Sequence, residues 1–149
     1  MTSPYRQRDT LTIARPDDAH LHLRDGALLR TVLKHSAERF SRAIIMPNLP
    51  TPVDTVAKAL AYRERILSAM PTRSTFTPLM TLYLTDSMAV EEIDRAVNSG
   101  VIYAVKYYPA GATTHSRAGV SQLENCSAVL ERMETVSYTH LTLPTILRV

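Results

Sequence analysis

Apolar residues along this chain recur in two alternating rhythms. Short, dense apolar runs of strand type separate longer stretches in which apolar positions return at helical spacing. A first strand is predicted either over residues 11–13 or in the region 19–23. Residues 27–39 then carry Leu28, Leu29, Val32 and Leu33 at the spacing of one helix face. The run RAIIM (42–46) reads as a compact strand closed by Pro47-Asn48. A long helix is predicted from Asp54, a residue type suited to capping, to Ala69, with Val56, Leu60, Ile66 and Leu67 on its buried side. Residues 76–84 form a third strand. The next helix carries Val90, Ile93 and Val97, with Asp86 or Ser87 as its cap and Gly100 as its stop. Residues 101–107 form a fourth strand ended by Pro109, and after a loop rich in Gly, Ala and Thr a fourth helix begins over 120–133.

Strands that alternate with helices argue for an α/β fold in which crossover helices cover a parallel sheet. Both an open doubly wound sheet and a (β/α)₈ barrel begin this way. A whole barrel typically needs about 250 residues, so about four βα units amount to half of one. Composition adds exclusions. The chain has 149 residues, 45% hydrophobic and 21% charged, as in ordinary soluble globular proteins. No apolar run approaches the roughly 20 residues of a membrane helix, and the opening MTSPYRQRDT has no signal-peptide core. The formal charge of +3 comes from scattered basic residues without interleaved aromatics, which argues against nucleic acid as a partner. A lone cysteine, Cys126, excludes an internal disulfide and fits a reducing compartment; it is expected to be a half-buried helix residue.

Candidate chemistry enters with DDAHLHLRDG (17–26), which places two of the five histidines one residue apart. On a strand, His20 and His22 project from the same face, and two neutral imidazoles side by side can grip one metal ion, zinc among them. A surface pair would show the same spacing. Lys106, in YAVKYYP, closes the fourth strand within an apolar stretch where an ammonium is costly to bury. Either it snorkels to the strand end, or its neutral amine captures carbon dioxide. The resulting carbamate is an anion with two oxygen ligands, able to bridge two metals. Arg24 offers a planar fork suited to a carboxylate, and Asn48 offers both an amide donor and an acceptor. All of these fall at or just past predicted strand ends.

The segments RPDDAHLHLRDG (15–26), RAIIMPNLPTPV (42–53), AYRERIL (61–67), FTPLMTLYLTD (76–86), AVKYYPAGATT (104–114) and VLERME (129–134) closely resemble the bacterial monofunctional dihydroorotases of the zinc amidohydrolase superfamily. They run in family order across nearly all of residues 12–134. The resemblance implies the N-terminal half of a (β/α)₈ barrel around a binuclear zinc centre, two Zn²⁺ ions bridged by carboxylated Lys106. It makes His20 and His22 ligands of one zinc and assigns Arg24 and Asn48 to the carboxylate of the substrate. It also implies reversible hydrolysis of dihydroorotate to N-carbamoyl-L-aspartate in pyrimidine synthesis, by a cytoplasmic homodimer with no membrane or nucleic-acid partner. Hydantoinases and allantoinases share the histidine pair and the lysine, but MPN and KYYPAGATT favour dihydroorotase. A catalytically silent homologue would have no chemical need of the five site residues.

The family also needs two further histidines, on strands five and six, and an aspartate on strand eight. None has a match, so the chain is expected to be incomplete and, alone, inactive. In VSYTHLTLPTILRV (136–149), His140 mimics a missing ligand, but the family's His-Gly-Glu pattern is absent. VSYTHLTLPT resembles a translated sequencing adapter, so residues 1–135 are taken as the partial amidohydrolase domain and 136–149 as a non-native tail. Without Arg148 the formal charge falls from +3 to +2. An independently prepared genomic copy should diverge after residue 135; recovery of the same segment would refute the adapter reading.

Overall fold

The computed structural model describes residues 10–136 and 141–142, the last two by backbone alone. The elements run β1 (Asp18–Leu21), α1 (Gly26–Arg39), β2 (Arg42–Ile45), α2 (Val56–Ser68), β3 (Thr77–Tyr83), α3 (Glu91–Ser99), β4 (Ile102–Lys106), a 3-10 turn (Leu123–Cys126), α4 (Ser127–Thr135) and β5 (Leu141–Thr142). Every strand pairs in parallel, in the order β1-β2-β3-β4-β5. A doubly wound sheet reverses its strand order at a switch point, whereas a barrel keeps sequence order throughout. The topology is therefore that of part of a barrel.

Of the two regions offered for the first strand, 18–21 is the one that pairs, with Asp18 opposite Ala43 and Leu21 opposite Ile45. Leu11 and Ile13 lie on the surface instead. One face of the sheet packs against the helices through Leu29, Leu33 and Ala37 of α1, Ala59, Tyr62 and Ile66 of α2, Ile93 and Ala96 of α3, and Val129 and Met133 of α4. Leu28, Leu60 and Val97, expected inward, are exposed. Alanines hold the contact positions in their place, and a small side chain lets a helix approach the sheet closely.

Two helix starts differ from expectation. Thr55, not Asp54, caps α2, its Oγ1 accepting from the Lys58 amide at 3.3 Å. Asp54 instead pairs with the Lys58 ammonium at 2.6 Å. Neither Asp86 nor Ser87 caps α3, which begins after Val90 with no side-chain cap, while Gly100 ends it in the left-handed conformation as expected. Cys126 is fully buried in the 3-10 turn, its Sγ 3.6 Å from the Thr85 carbonyl oxygen, and not half-buried in a helix.

The four expected βα units are all present, and beyond them Leu141 and Thr142 pair with Val105 and Lys106. An open edge presents unpaired backbone groups, and these pair with any extended segment whatever its side chains. His140 and the rest of 137–149 lie outside the described residues.

Glu92 carries a contact between elements. Its buried carboxylate accepts from the Val56 amide at 2.7 Å, satisfying the first turn of α2 from α3, and also takes the Arg95 guanidinium. Glu92→Ala leaves that amide without a partner, which costs about 1–3 kcal/mol. In the full-length protein, the urea unfolding midpoint should fall accordingly, and Glu92→Gln, which keeps an acceptor, should fall less.

Candidate active site

The site begins with alternation along β1. Leu23 is fully buried toward the helices, so His20 and His22, with the opposite parity, project from the other face of the sheet. Their Nε2 atoms stand 3.2 Å apart, with ring centroids at 5.1 Å. Two nitrogens bound to one tetrahedral zinc at about 2.0–2.1 Å are held roughly 3.3 Å apart. The pair therefore has the spacing of two ligands to one ion. The backbone entering this turn is fixed by Asp18, which accepts from the His20 amide at 2.9 Å.

Lys106 is the last residue of β4 and is completely buried. Desolvation lowers its pKa from the ordinary 10.5 to about 8, so roughly a tenth of the amine is neutral at pH 7. Its Nζ lies 5.3 Å from the Tyr108 ring centroid. It is also close enough to both histidines that its charge lowers their pKa values, together with the larger effect of burial. The paired imidazoles and the lysine thus form one electrostatic cluster, although they come from opposite ends of the four-strand run.

Asn48, buried just past β2, hydrogen-bonds His22 through its side chain, and its Nδ2 donates to the Thr114 carbonyl at 3.2 Å. Arg24 sits at φ 62°, in the left-handed region that non-glycine residues seldom adopt. The buried Tyr62 hydroxyl donates to its carbonyl at 2.6 Å and holds that turn. A cleft of about 220 Å³ is lined by His20, His22, Arg24, Asn48, Tyr108, Thr113 and Thr114. Four of the five residues singled out from the sequence share this cleft, and Lys106 lies beneath it against Tyr108.

Tyr108, Thr113 and Thr114 were not singled out. Tyr108 follows Lys106 at strand parity, a signal the sequence did carry; the two threonines sit in a loop where no periodicity points anywhere. The Tyr108 hydroxyl is buried without a hydrogen-bond partner among the described residues. Tyr83 stacks on that ring at 5.1 Å, and its own hydroxyl donates to the His115 carbonyl at 3.2 Å.

The donor set suits a borderline metal such as zinc. His20 and His22 would be the residues to hold such an ion, beside a lysine of depressed pKa. No group of three or more His, Cys, Asp or Glu that could hold a metal ion gathers among the described residues.

No protein-family model matches the chain. It is 63% identical over 125 residues to a dihydroorotase of Methylobacillus flagellatus, covering 84% of this chain and 36% of that protein. It is 64% identical over 126 residues to a dihydroorotase of Halorhodospira halophila, covering 85% and 36%. Among solved structures, a dihydroorotase from Campylobacter jejuni superposes with a TM-score of 0.78 at 38% identity, covering 87% of this chain and 37% of that one. The chain thus spans little more than a third of the length of the curated relatives it matches. A parallel sheet wound in sequence order, at these identities, belongs to the amidohydrolase class. Within it, over the stretch these relatives share, the chain is a member of the dihydroorotase family.

Burial and the neighbouring cations lower the pKa of both site histidines from the ordinary 6.5. A lowered value keeps each ring neutral to lower pH, so ligation near pH 7 displaces little proton. Proton NMR of the metal-free protein should show both rings titrating below 6.5. A midpoint at or above that value for either ring would contradict the electrostatics described.

Proposed function

We propose that the full-length enzyme containing this stretch is a zinc-dependent dihydroorotase. It would open the ring amide of (S)-dihydroorotate reversibly to N-carbamoyl-L-aspartate, a step of pyrimidine synthesis. The observation that carries this reading is the 3.2 Å convergence of the His20 and His22 nitrogens beside buried Lys106, in one cleft with Arg24 and Asn48. It is supported by identity above 60% to named dihydroorotases.

In this reading His20 and His22 would hold a zinc ion, and carboxylated Lys106 would supply oxygen donors to the metal centre. The low pKa of Lys106 favours the amine that attacks carbon dioxide. A nitrogen–carbon bond forms as one carbon–oxygen π bond of carbon dioxide opens, and the amine nitrogen gives up a proton. Counted from the ammonium, two protons leave to solvent and a buried cation becomes a buried anion with two oxygen donors. Bound zinc would acidify a water molecule and polarise the scissile carbonyl. Arg24, its backbone pinned by Tyr62, offers its guanidinium to the substrate carboxylate, and that geometry discriminates in favour of planar anions. Asn48 is fixed from both sides by His22 and Thr114, so its position sets that of the carboxylate relative to the imidazoles.

The same reading makes the parent enzyme a cytoplasmic homodimer acting on a small molecule, without membrane or nucleic-acid partners. Its support is the modest charge and the lack, among the described residues, of any helix long and apolar enough to cross a membrane. The tail, residues 136–149, we take to be foreign to the enzyme.

The test is kinetic. The full-length enzyme loaded with zinc should hydrolyse dihydroorotate, while the isolated 149-residue chain, with an incomplete ligand set, should not. His20→Ala and Lys106→Ala should abolish turnover. Arg24→Ala should act mainly on KM, by on the order of a hundredfold for a lost charge-assisted pair of about 1.5–3 kcal/mol. A fully active Lys106→Ala enzyme would overturn the assignment.

A further inference from the structure

Asp86 stands three residues beyond β3 and upstream of Val90, the residue at the start of α3, so it is not placed to cap that helix. Its carboxylate turns instead to the far end of the loop that follows β4. Ser121 donates to it through its amide, at 3.0 and 3.2 Å to the two oxygens, and through its hydroxyl at 2.6 Å. These bonds hold the Asp86 carboxyl below its ordinary pKa.

The loop so anchored is a closed unit. At its neck, Pro109 bridges Val120, the Val120 amide donates to Tyr108 O at 2.9 Å, and the Ala110 amide donates to Val120 O at 2.9 Å. Gly119 passes so close that a Cβ there would lie 2.3 Å from the Tyr108 carbonyl oxygen. At its tip, the Ser116 hydroxyl accepts from the Thr113 amide at 2.8 Å, and the Gly111 amide donates to Ser116 O at 2.9 Å. Thr113 and Thr114 are thereby presented to the cleft as part of a small rigid body. The position of that body depends on its neck, and Asp86 grips the residue just outside the neck.

We propose that Asp86 is a positioning residue: by anchoring Ser121 it sets the height at which Thr113 and Thr114 stand against the His20–His22 cleft. The inference rests on the reading of that cleft as the dihydroorotate site. Asp86 touches neither substrate nor metal ligands in this scheme and acts only through the loop.

The test uses the full-length zinc enzyme with Asp86→Ala and Asp86→Asn. Exposed Arg117 lies within the loop, so trypsin cleavage after it reports how firmly the loop is held without reference to catalysis. Asp86→Ala should speed that cleavage and raise the KM for dihydroorotate on the order of tenfold, the equivalent of one or two lost hydrogen bonds. The kcat, zinc content and unfolding midpoint should stay near wild type, and Asp86→Asn, which keeps an acceptor, should recover part of the KM. Unchanged cleavage would overturn the proposal. So would faster cleavage with unchanged KM, or a KM rise matched by loss of zinc or of global stability. A wild-type enzyme that does not turn over dihydroorotate would instead sink the functional reading, and the cleavage comparison would still decide whether Asp86 anchors the loop.

Discussion

Side-chain parity at the end of β1 is the constraint on which the site depends. Neighbouring residues of an extended chain face opposite ways, so burying Leu23 against the helices places His20 and His22 on the opposite face. A register slip of one residue would turn the imidazoles into the apolar layer and leave the leucines on the cleft side. The parallel ladder aligns the strands across the sheet, with register shifts between Asp18 and Leu21 and between Met80 and Thr81. Asp18 lies opposite Ala43, Arg42 opposite Thr77, and Tyr83 opposite Lys106, so the carboxyl ends of the four longer strands meet at one rim. Lys106 can then act on both histidines from three strands away.

Much of the fold could be read from the chain because strand and helix periods differ so clearly here. Gly100 ended its helix where expected, and Pro47 and Pro109 followed their strands. The errors were of phase. Counting large apolar residues placed Leu28, Leu60 and Val97 inward, yet Ala37, Ala59 and Ala96 take contact positions alongside Leu29, Leu33, Tyr62, Ile66 and Ile93. Hydrophobicity alone cannot make that distinction, since a close helix–sheet contact selects for small volume as well as for apolarity. The helix caps failed for a related reason. Asp54 and Asp86 were competent caps by type, but each found a partner that sequence distance concealed or misranked: Lys58 for the one, Ser121 for the other.

The site divided along the same line. His20, His22, Asn48 and Lys106 lie on strands or just past them, where parity and chain breaks report on direction. Arg24 was legible as chemistry, but its left-handed turn and the Tyr62 bond that holds it are tertiary facts. Thr113 and Thr114 reach the cleft through a loop shaped by its own hydrogen bonds and by the close passage of Gly119. No local pattern announces such a loop.

Two acidic residues show how local and distant demands were weighed. The amino end of α3 has no side-chain cap, an arrangement that ordinarily costs on the order of 1 kcal/mol. Asp86 lies too far upstream of Val90 to supply one, and its carboxylate accepts from Ser121. The first turn of α3 carries Glu91, Glu92 and Asp94, whose charges are favourable at the positive end of the helix dipole and offset part of that cost. Glu92 then extends the series, since it serves the amino end of α2 from its place in α3. The start of α2 thus draws on a group from α3 as well as on its own Thr55, whereas α1 is capped by its own Asp25. Stability is distributed among the outer helices so that the strand ends can be arranged for chemistry.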